Sequence, residues 1–519
     1  MQMLPIGVQD FVQLRQDSLL YVDKTARLLE LIKNGRRYFL SRPRRFGKSL
    51  TLSTLDAMFS GRKELFIGLA AEQWVAKQSE NPSPVLRFDM STIAATTSED
   101  IKLSLQEMIY RIAEDSNLNI RSQTLGGIFI DLIRQLQKQQ GKVVILIDEY
   151  DKPILDNLSN LKEANDMREA LRSFYTVLKS CDEYLRFVFI TGISKFSKAG
   201  VFSAMNNLQD ISTSHIYSDI AGYTQSELEY YFSDRIETLA KSMSITKNEL
   251  TDKIRKYYDG FSFDGVTRLY NPFSILNFFF DGTFKNYWYT SGSPTFIVKY
   301  MKEHQISDPE EYRHIEVSSD FADTHEIEYA TPESFLYQSG YLTIEKSEGD
   351  TLTLDYPNEE VRKSLVRMYL DEIYHVKRYI TLGNQLWDAL SNGDIKQAVE
   401  LYNTAIAGVP YDDFPNRNEY WYRSLFIMLL KGAGIVSYAE VHTFRGRSDL
   451  LLQFNNLTVV LEFKFAQTSS QVGKMIAEGS QQMNDREYAK SYASDGRKVI
   501  TAVLVADDDK RQIVIIWSS

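Results

Sequence analysis

Tyr38-Phe39-Leu40-Ser41-Arg42-Pro43-Arg44-Arg45-Phe46-Gly47-Lys48-Ser49-Leu50 places a strand, a loop and a helix start in succession. Gly47-Lys48-Ser49 supplies what a bound triphosphate needs. Gly47 lets backbone N–H groups approach the phosphates, Lys48 neutralises β/γ oxygens, and the Ser49 hydroxyl can hold Mg²⁺. A helix beginning near Lys48 adds a favourable dipole end for an anion. The general pattern wants Gly five residues before Gly47, and this chain has Arg42. The competing reading is a basic surface turn.

A partner motif strengthens the phosphate reading. Val143-Val144-Ile145-Leu146-Ile147-Asp148-Glu149 is an apolar strand ending in two acids, 100 residues after Lys48. Asp148 is expected to hold the Mg²⁺ shell and Glu149 to orient or activate the attacking water. The runs Arg37–Leu40, Val85–Phe88, Val143–Ile147 and Phe187–Ile190 each precede a turn and a helix. That alternation predicts an α/β layer with a mostly parallel sheet over 1–215. The strand at 187–190 ends in Thr191-Gly192-Ile193-Ser194-Lys195. A polar residue there could sense the γ-phosphate beside Asp148, or could simply close a turn.

From about 216 to 410 the chain turns mostly helical and aromatic, including 225–257, 358–374 and 379–404. From 411 the order becomes helix (417–431), strand (435–443), strand (447–453), strand (457–465), helix (470–492) and two strands (499–505, 513–517). Asn455-Asn456 marks a hairpin turn. In Leu461-Glu462-Phe463-Lys464, residues two apart share a strand face, so Glu462 and Lys464 point one way and Phe463 the other. Asp449 on the neighbouring strand can lie close to Glu462. Two carboxylates and a lysine are what metal-assisted phosphodiester hydrolysis asks for: Asp449 and Glu462 to hold Mg²⁺, or Mn²⁺, and Lys464 to orient the water. The alternative is a sheet face with a salt bridge. Arg445 and Arg447 could grip backbone phosphates or line a basic hairpin mouth.

Tyr21-Val22-Asp23-Lys24-Thr25, the Arg42–Ser49 loop, Asp148-Glu149-Tyr150-Asp151-Lys152-Pro153, Gly222-Tyr223-Thr224, Tyr258-Asp259-Gly260 and Tyr270-Asn271-Pro272-Phe273-Ser274 together resemble the bacterial AAA-ATPase-like family. In that family an AAA-type P-loop ATPase module is fused to a C-terminal PD-(D/E)XK nuclease-like domain. The resemblance implies three parts: an AAA-type module over 1–215, a helical lid or middle region over 216–410, and a restriction-endonuclease-like α/β domain over 411–519. Arg42 in place of Gly is the family's own form of the loop, though its bulk is expected to change how the loop wraps the phosphates. The resemblance reaches Gln482 and Tyr488, with Met483 where isoleucine usually stands, and places such a Gln near the metal; Glu419 could add a third acid. By position alone, Arg235 and Arg255 are candidates for an arginine that reads nucleotide state. AAA relatives often assemble, so a homo-oligomer is compatible with the resemblance.

Composition sets limits on these readings. The 519 residues are 43% hydrophobic and 25% charged with 12 Pro and 26 Gly, which excludes a disordered or collagen-like chain. The net charge of −10 provides no overall cationic field, so a nucleic-acid partner, DNA ahead of RNA, must be met by a local basic patch or a metal. The single cysteine, Cys181, excludes an internal disulfide and a Cys-based zinc site, and the six histidines show no ligand spacing. Met1–Gly7 does not read as a signal peptide, and no apolar run is long enough to span a membrane. A cytoplasmic protein is expected. The aromatics Phe278-Phe279-Phe280 and Tyr287-Trp288-Tyr289 read as core ahead of a base-stacking platform. The function expected is that of an ATP-binding and ATP-hydrolysing protein with a metal-dependent nuclease domain that cleaves nucleic-acid phosphodiester bonds, nucleotide state gating the nuclease; the rival is a nucleotide-regulated binding or scaffold protein whose nuclease-like fold no longer cuts.

Overall fold

The computed structural model describes residues 1–158, 160–195, 207–290, 298, 301, 312–322, 331–410, 414, 417–435, 438–443, 446–485 and 496–518. Two compact units emerge: Met1–Ile297 with Tyr312–Val361, and Val298–Glu311 with Arg362–Ser519. The stretch 216–410 is thus shared between them.

The first unit is built on β1 (Arg37–Ser41), β2 (Val85–Asp89), β3 (Val143–Asp148), β4 (Leu185–Gly192) and β5 (Gln209–Asp210), in the order β2-β3-β4-β1-β5 and parallel throughout. Parallel neighbours need long crossovers. Helices Lys48–Phe59, Ser98–Asp115, Leu125–Gln140 and Leu161–Ser180 supply them. Every residue of β3 is buried, as a sheet covered on both faces requires. Tyr38, Leu40, Val144, Leu146, Phe187 and Phe189 meet Leu52, Leu55 and Met58 in one core. Elsewhere Phe88 meets Phe129 and Phe174, which stack at 4.6 Å. Each such side chain stabilises the fold by about 1.5–3 kcal/mol. Because β4 lies between β3 and β1, the acid-bearing end of β3 and the loop leaving β1 flank the same strand end. Ligands bind at such carboxyl ends in open parallel sheets.

The stretch 225–257 forms three helices, Gln225–Tyr231, Ser233–Ser242 and Lys247–Tyr258, where one continuous run was expected. Thr224 with Glu227 and Thr246 with Glu249 form capping boxes, which start new helices. Phe278 and Phe279 join Phe232, Ile236, Ile254 and Tyr258 in the core of this helical part, whereas Phe280 is exposed. A sheet also appears where helices were expected: β6 (Ile315–Ser318), β7 (Thr343–Glu348) and β8 (Thr351–Asp355), antiparallel in the order β6-β8-β7.

In the second unit, 379–404 divides into helices Tyr379–Ser391 and Ile395–Ala407; the Asp394 side chain caps the second by accepting from Gln397 N at 3.0 Å. Helix Glu419–Gly432 leads into β9 (Tyr438–Thr443), β10 (Gly446–Gln453) and β11 (Leu457–Ala466). Helix Val472–Asp485, β12 (Lys498–Asp507) and β13 (Gln512–Ser518) follow. The sheet order is β13-β12-β11-β10-β9, with only β11 and β12 parallel among these pairs. Val460, Val503 and Val505 pack against Met483 and the flanking Val472, Met475 and Ile476, while Phe463 meets Phe426 edge-on at 5.7 Å. Helix Val472–Asp485 approaches closely at Gly479, where a Cβ would lie 2.5 Å from Val503 Cγ1. Among the described residues, no helix is long and apolar enough to cross a membrane.

Candidate functional sites

Gly47 caps helix Lys48–Phe59 from the left-handed region (φ +88°), where an added Cβ would meet open space. Its role is therefore conformational. Lys48 is 5% exposed, and its Nζ donates to the carbonyls of Arg42 (2.9 Å) and Pro43 (3.0 Å). Burial lowers the Lys48 pKa, while Glu149, Asp148 and Asp151 pull it back up. Ser49 follows, half-buried, in the first helical turn. Asp148 ends β3 at 2% exposure; its Oδ1 accepts from Thr191 Oγ1 at 2.6 Å and from Glu149 N at 3.1 Å. Glu149 sits at φ +49°, an unfavourable backbone conformation of the kind found at functional sites. Burial raises its carboxyl pKa, and Lys48 opposes that rise.

Arg42 does not crowd the loop. Its guanidinium turns into the protein and donates to the carbonyls of Ser41 (2.9 Å), Ser212 (2.6 Å) and Ser218 (3.3 Å), over the Phe263 ring at 4.0 Å. Burial lowers its pKa to about 10. Sequence reasoning quoted Asp151 in a motif without assigning it a role. Fully buried, its carboxylate accepts from Ile193 N (3.1 Å), Ser194 N (2.6 Å) and Ser194 Oγ (2.5 Å), tying the end of β4 to the turn after β3.

At the C-terminal sheet, β10 and β11 pair with Leu450 opposite Leu461, so Asp449 and Glu462 stand one step further along. Asp449 Oδ2 accepts from Phe463 N at 2.8 Å, and Arg423 Nη1 meets Oδ1 at 3.1 Å. Glu462 is 1% exposed; its Oε1 accepts from Lys464 Nζ at 3.0 Å and from Gln482 Nε2. Lys464 Nζ also donates to the Phe463 carbonyl at 3.0 Å. Glu419 interacts electrostatically with Lys464, Asp449 and Arg423, and burial raises its pKa. Five of the residues singled out from the sequence (Asp449, Glu462, Lys464, Gln482 and Glu419) therefore share one neighbourhood. Arg423 was missed; four residues after Glu419, it lies on the same helix face, a signal visible only once Glu419 is placed.

Arg445 and Tyr488 lie outside the described residues, and Arg447 is described by its backbone pairing with His442. Arg255 is taken up by Asp252 (3.0 Å) and Gln225 (3.4 Å), and Arg235 donates to the Gln2 carbonyl. The fold also gathers a histidine group that spacing hides: His314 Nδ1 meets Glu345 at 2.7 Å and Nε2 meets Asp355 at 3.4 Å. Arg313 approaches the same Asp355 at 3.3 Å, so four polar side chains meet there.

Comparison with known proteins agrees with this architecture. Residues 5–202 match a family described as "Predicted AAA-ATPase", and residues 417–515 match the PD-(D/E)XK nuclease superfamily. A protein of Azotobacter chroococcum mcd 1, "Uncharacterized protein in vnfD 5'region", is 34% identical over 526 residues, covering 98% of each chain. Among solved structures, the Aeropyrum pernix ORC1 protein in complex with DNA is 10% identical and covers 66% of this chain and 92% of its own (TM-score 0.25). The ORC2 protein of the same organism is 12% identical with 66% and 91% covered (TM-score 0.26). This chain belongs to the bacterial AAA-ATPase-like family with a C-terminal PD-(D/E)XK nuclease-like domain. Its fold is α/β: a P-loop AAA-type domain, a helical middle and a restriction-endonuclease-like C-terminal domain.

Proposed function

We propose that this chain binds and hydrolyses ATP and cleaves nucleic-acid phosphodiester bonds, DNA ahead of RNA, with nucleotide state gating the cut. The observation that carries the reading is the meeting of Asp449, Glu462 and Lys464 on adjacent strands, with Gln482 closing on Glu462. In the first unit Gly47 shapes the loop and Lys48 binds the β/γ-phosphates. Ser49 and Asp148 would hold Mg²⁺, and Glu149 orients the water that attacks the terminal phosphate. In the second unit Asp449 and Glu462 would hold Mg²⁺ or Mn²⁺. When bound, the metal supplies Lewis acidity and a more acidic water. Lys464 orients that water and balances the charge that builds on the phosphate. The protein would act in the cytoplasm, and the reading is compatible with self-association.

A second reading, a nucleotide-regulated scaffold with an inactive nuclease-like domain, draws on one observation. Arg423 already neutralises Asp449, so a metal must share or displace it. Purified protein incubated with mixed DNA and RNA in Mg²⁺ or Mn²⁺, with and without ATP, separates the two. Cutting that disappears in Lys464→Ala and changes with ATP is the expected result. Absence of cutting while ATP still binds would establish the scaffold reading instead.

A further inference from the structure

In Asp148-Glu149-Tyr150-Asp151 every side chain but that of Glu149 reaches across to the end of β4. Asp148 Oδ1 accepts from Thr191 Oγ1 at 2.6 Å. Tyr150, fully buried, donates its N–H to the Thr191 carbonyl at 3.0 Å and its hydroxyl to the Ser194 carbonyl at 2.9 Å. Asp151 accepts from Ile193 N, Ser194 N and Ser194 Oγ. The approach is so close that a Cβ on Gly192 would lie 2.8 Å from Asp151 Oδ1 and overlap the Tyr150 ring. Glu149 differs: among the described residues its half-buried carboxylate has no hydrogen bond or ion pair.

The Glu149 backbone sits at φ +49°, a conformation that a residue with a side chain keeps only where its surroundings hold it. Its N–H donates to Asp148 Oδ1 at 3.1 Å, and its carbonyl accepts from Lys152 N at 2.9 Å. The end of β4 also anchors the start of the phosphate loop. Ser41 Oγ donates to the Ile193 carbonyl at 2.5 Å, and Arg42 N donates to the Gly192 carbonyl at 3.2 Å. One strand end therefore sets the turn bearing Glu149 against the loop bearing Gly47 and Lys48.

Asp151 is the costly part of this arrangement. It is fully buried, and among the described residues it forms no ion pair, an expensive state for a carboxylate. In return it gathers donors from two consecutive residues of β4's end, in bonds stronger than neutral partners would make. Rigidity of that kind matters where a small misplacement slows chemistry. We propose that Asp151 is a positioning residue for ATP hydrolysis, clamping the turn after β3 to the end of β4 so that the Glu149 carboxylate is held for the attacking water. The inference rests on the ATP-site reading above. It gives a role to a motif residue that touches neither phosphate nor metal in that reading.

The test uses full-length protein with Mg²⁺·ATP and compares wild type, Asp151→Asn, Glu149→Gln, the double variant and Lys48→Ala. Asp151→Asn keeps the shape of the side chain but turns an amide NH₂ toward the donors of Ile193 and Ser194. It is expected to lower kcat by about tenfold to a hundredfold with KM and ATP affinity within about twofold, because the loop keeps its own ties. In the Glu149→Gln background the same change should alter the rate by less than about twofold, since a residue acting through Glu149 has nothing left to position. Wild-type kcat in Asp151→Asn would overturn the proposal, as would a loss of ATP affinity matching the loss of kcat. Losses that multiply in the double variant would show that Asp151 acts without Glu149 and would also overturn it. Should Asp151→Asn fail to fold, as read by circular dichroism, Ser194→Ala removes a single donor from the same carboxylate. A fall in kcat of about threefold or more at unchanged KM is then expected, and wild-type kcat overturns the clamp. Normal ATP binding lost in Lys48→Ala, with wild-type kcat in Asp151→Asn, sinks this inference alone; ATP binding unchanged in Lys48→Ala removes the nucleotide-site reading and the clamp with it.

Discussion

The two candidate sites are organised on different principles. The phosphate loop is a backbone device: a glycine at φ +88°, a lysine seated on its own loop carbonyls and an aspartate fixed by Thr191. The C-terminal site is a side-chain device, two acids on neighbouring strands balanced by Arg423, Lys464 and Gln482. The first depends on main-chain conformation, which many distant contacts must hold. The second depends on charge balance, which one substitution can tip. This contrast teaches where each site is vulnerable.

The largest expected effect attacks the backbone device. Arg42→Gly restores the general loop glycine but deletes a buried donor group that serves three carbonyls. It should cost about 2–4 kcal/mol of stability, read from the denaturant midpoint, with no gain in ATP hydrolysis. A variant as stable as wild type and faster at hydrolysis would show that Arg42 limits the site and does not support it. The charge device is probed next. Arg423→Met removes the cation from Asp449 and should tighten Mn²⁺ binding about tenfold by calorimetry, since two acids then face the ion with less competition. Weaker Mn²⁺ binding would instead make Arg423 a positioning residue for Asp449.

The smallest effect concerns a buried carboxylate outside both sites. Glu360 in the first unit is fully buried, accepts from Trp288 N at 2.8 Å, and is pushed up to about 8 by burial. Its proton is therefore held in the folded state at pH values where the unfolded chain has lost it. The resulting stability is complete below the ordinary glutamate range and is lost as pH rises through about 8. From pH 7 to 8 the first unit should lose on the order of 1 kcal/mol, and Glu360→Gln should flatten that slope in thermal melts. An identical slope in the variant would assign the pH dependence to another group.

How much was legible follows from the range of the forces involved. The strand at 143–148 was readable because a parallel strand buried on both faces is almost continuously apolar, and those at 37–41, 85–89 and 185–192 because each is a short, largely apolar run before a turn and a helix. The common face of Glu462 and Lys464 followed from the two-residue period of a strand. The second break inside 225–257 was encoded in the Thr246–Glu249 box, a local signal overridden by the longer helical pattern, whereas the first, at Phe232, has no side-chain cap to announce it. The hairpin of β7 and β8 was hidden because β7 ends in the exposed polar run Lys346-Ser347-Glu348 and β8, although Leu352 and Leu354 alternate with Thr351 and Thr353, is only five residues long.

Asp151 and the His314–Glu345–Asp355 group illustrate the other limit. Asp151 closes on Ser194, 43 residues away, and His314 on Glu345, 31 residues away, so no spacing rule links them. Arg42 looked like a defect in a phosphate loop until Ser212, Ser218 and Phe263 supplied its partners.

The amino-acid sequence by itself determined the order of elements, the glycine-lysine-serine turn before a helix and the acid-X-lysine face of a strand. All of these depend on residues within a turn or a pleat of one another, where backbone hydrogen bonding and side-chain periodicity act. Only the tertiary structure decided which buried charge meets which partner: Arg42 with distant carbonyls, Arg423 with Asp449, and Asn271 with the loop that carries Arg44. A charge can be withdrawn from water only where compensating groups arrive, and the packing of elements far apart in the chain brings them there.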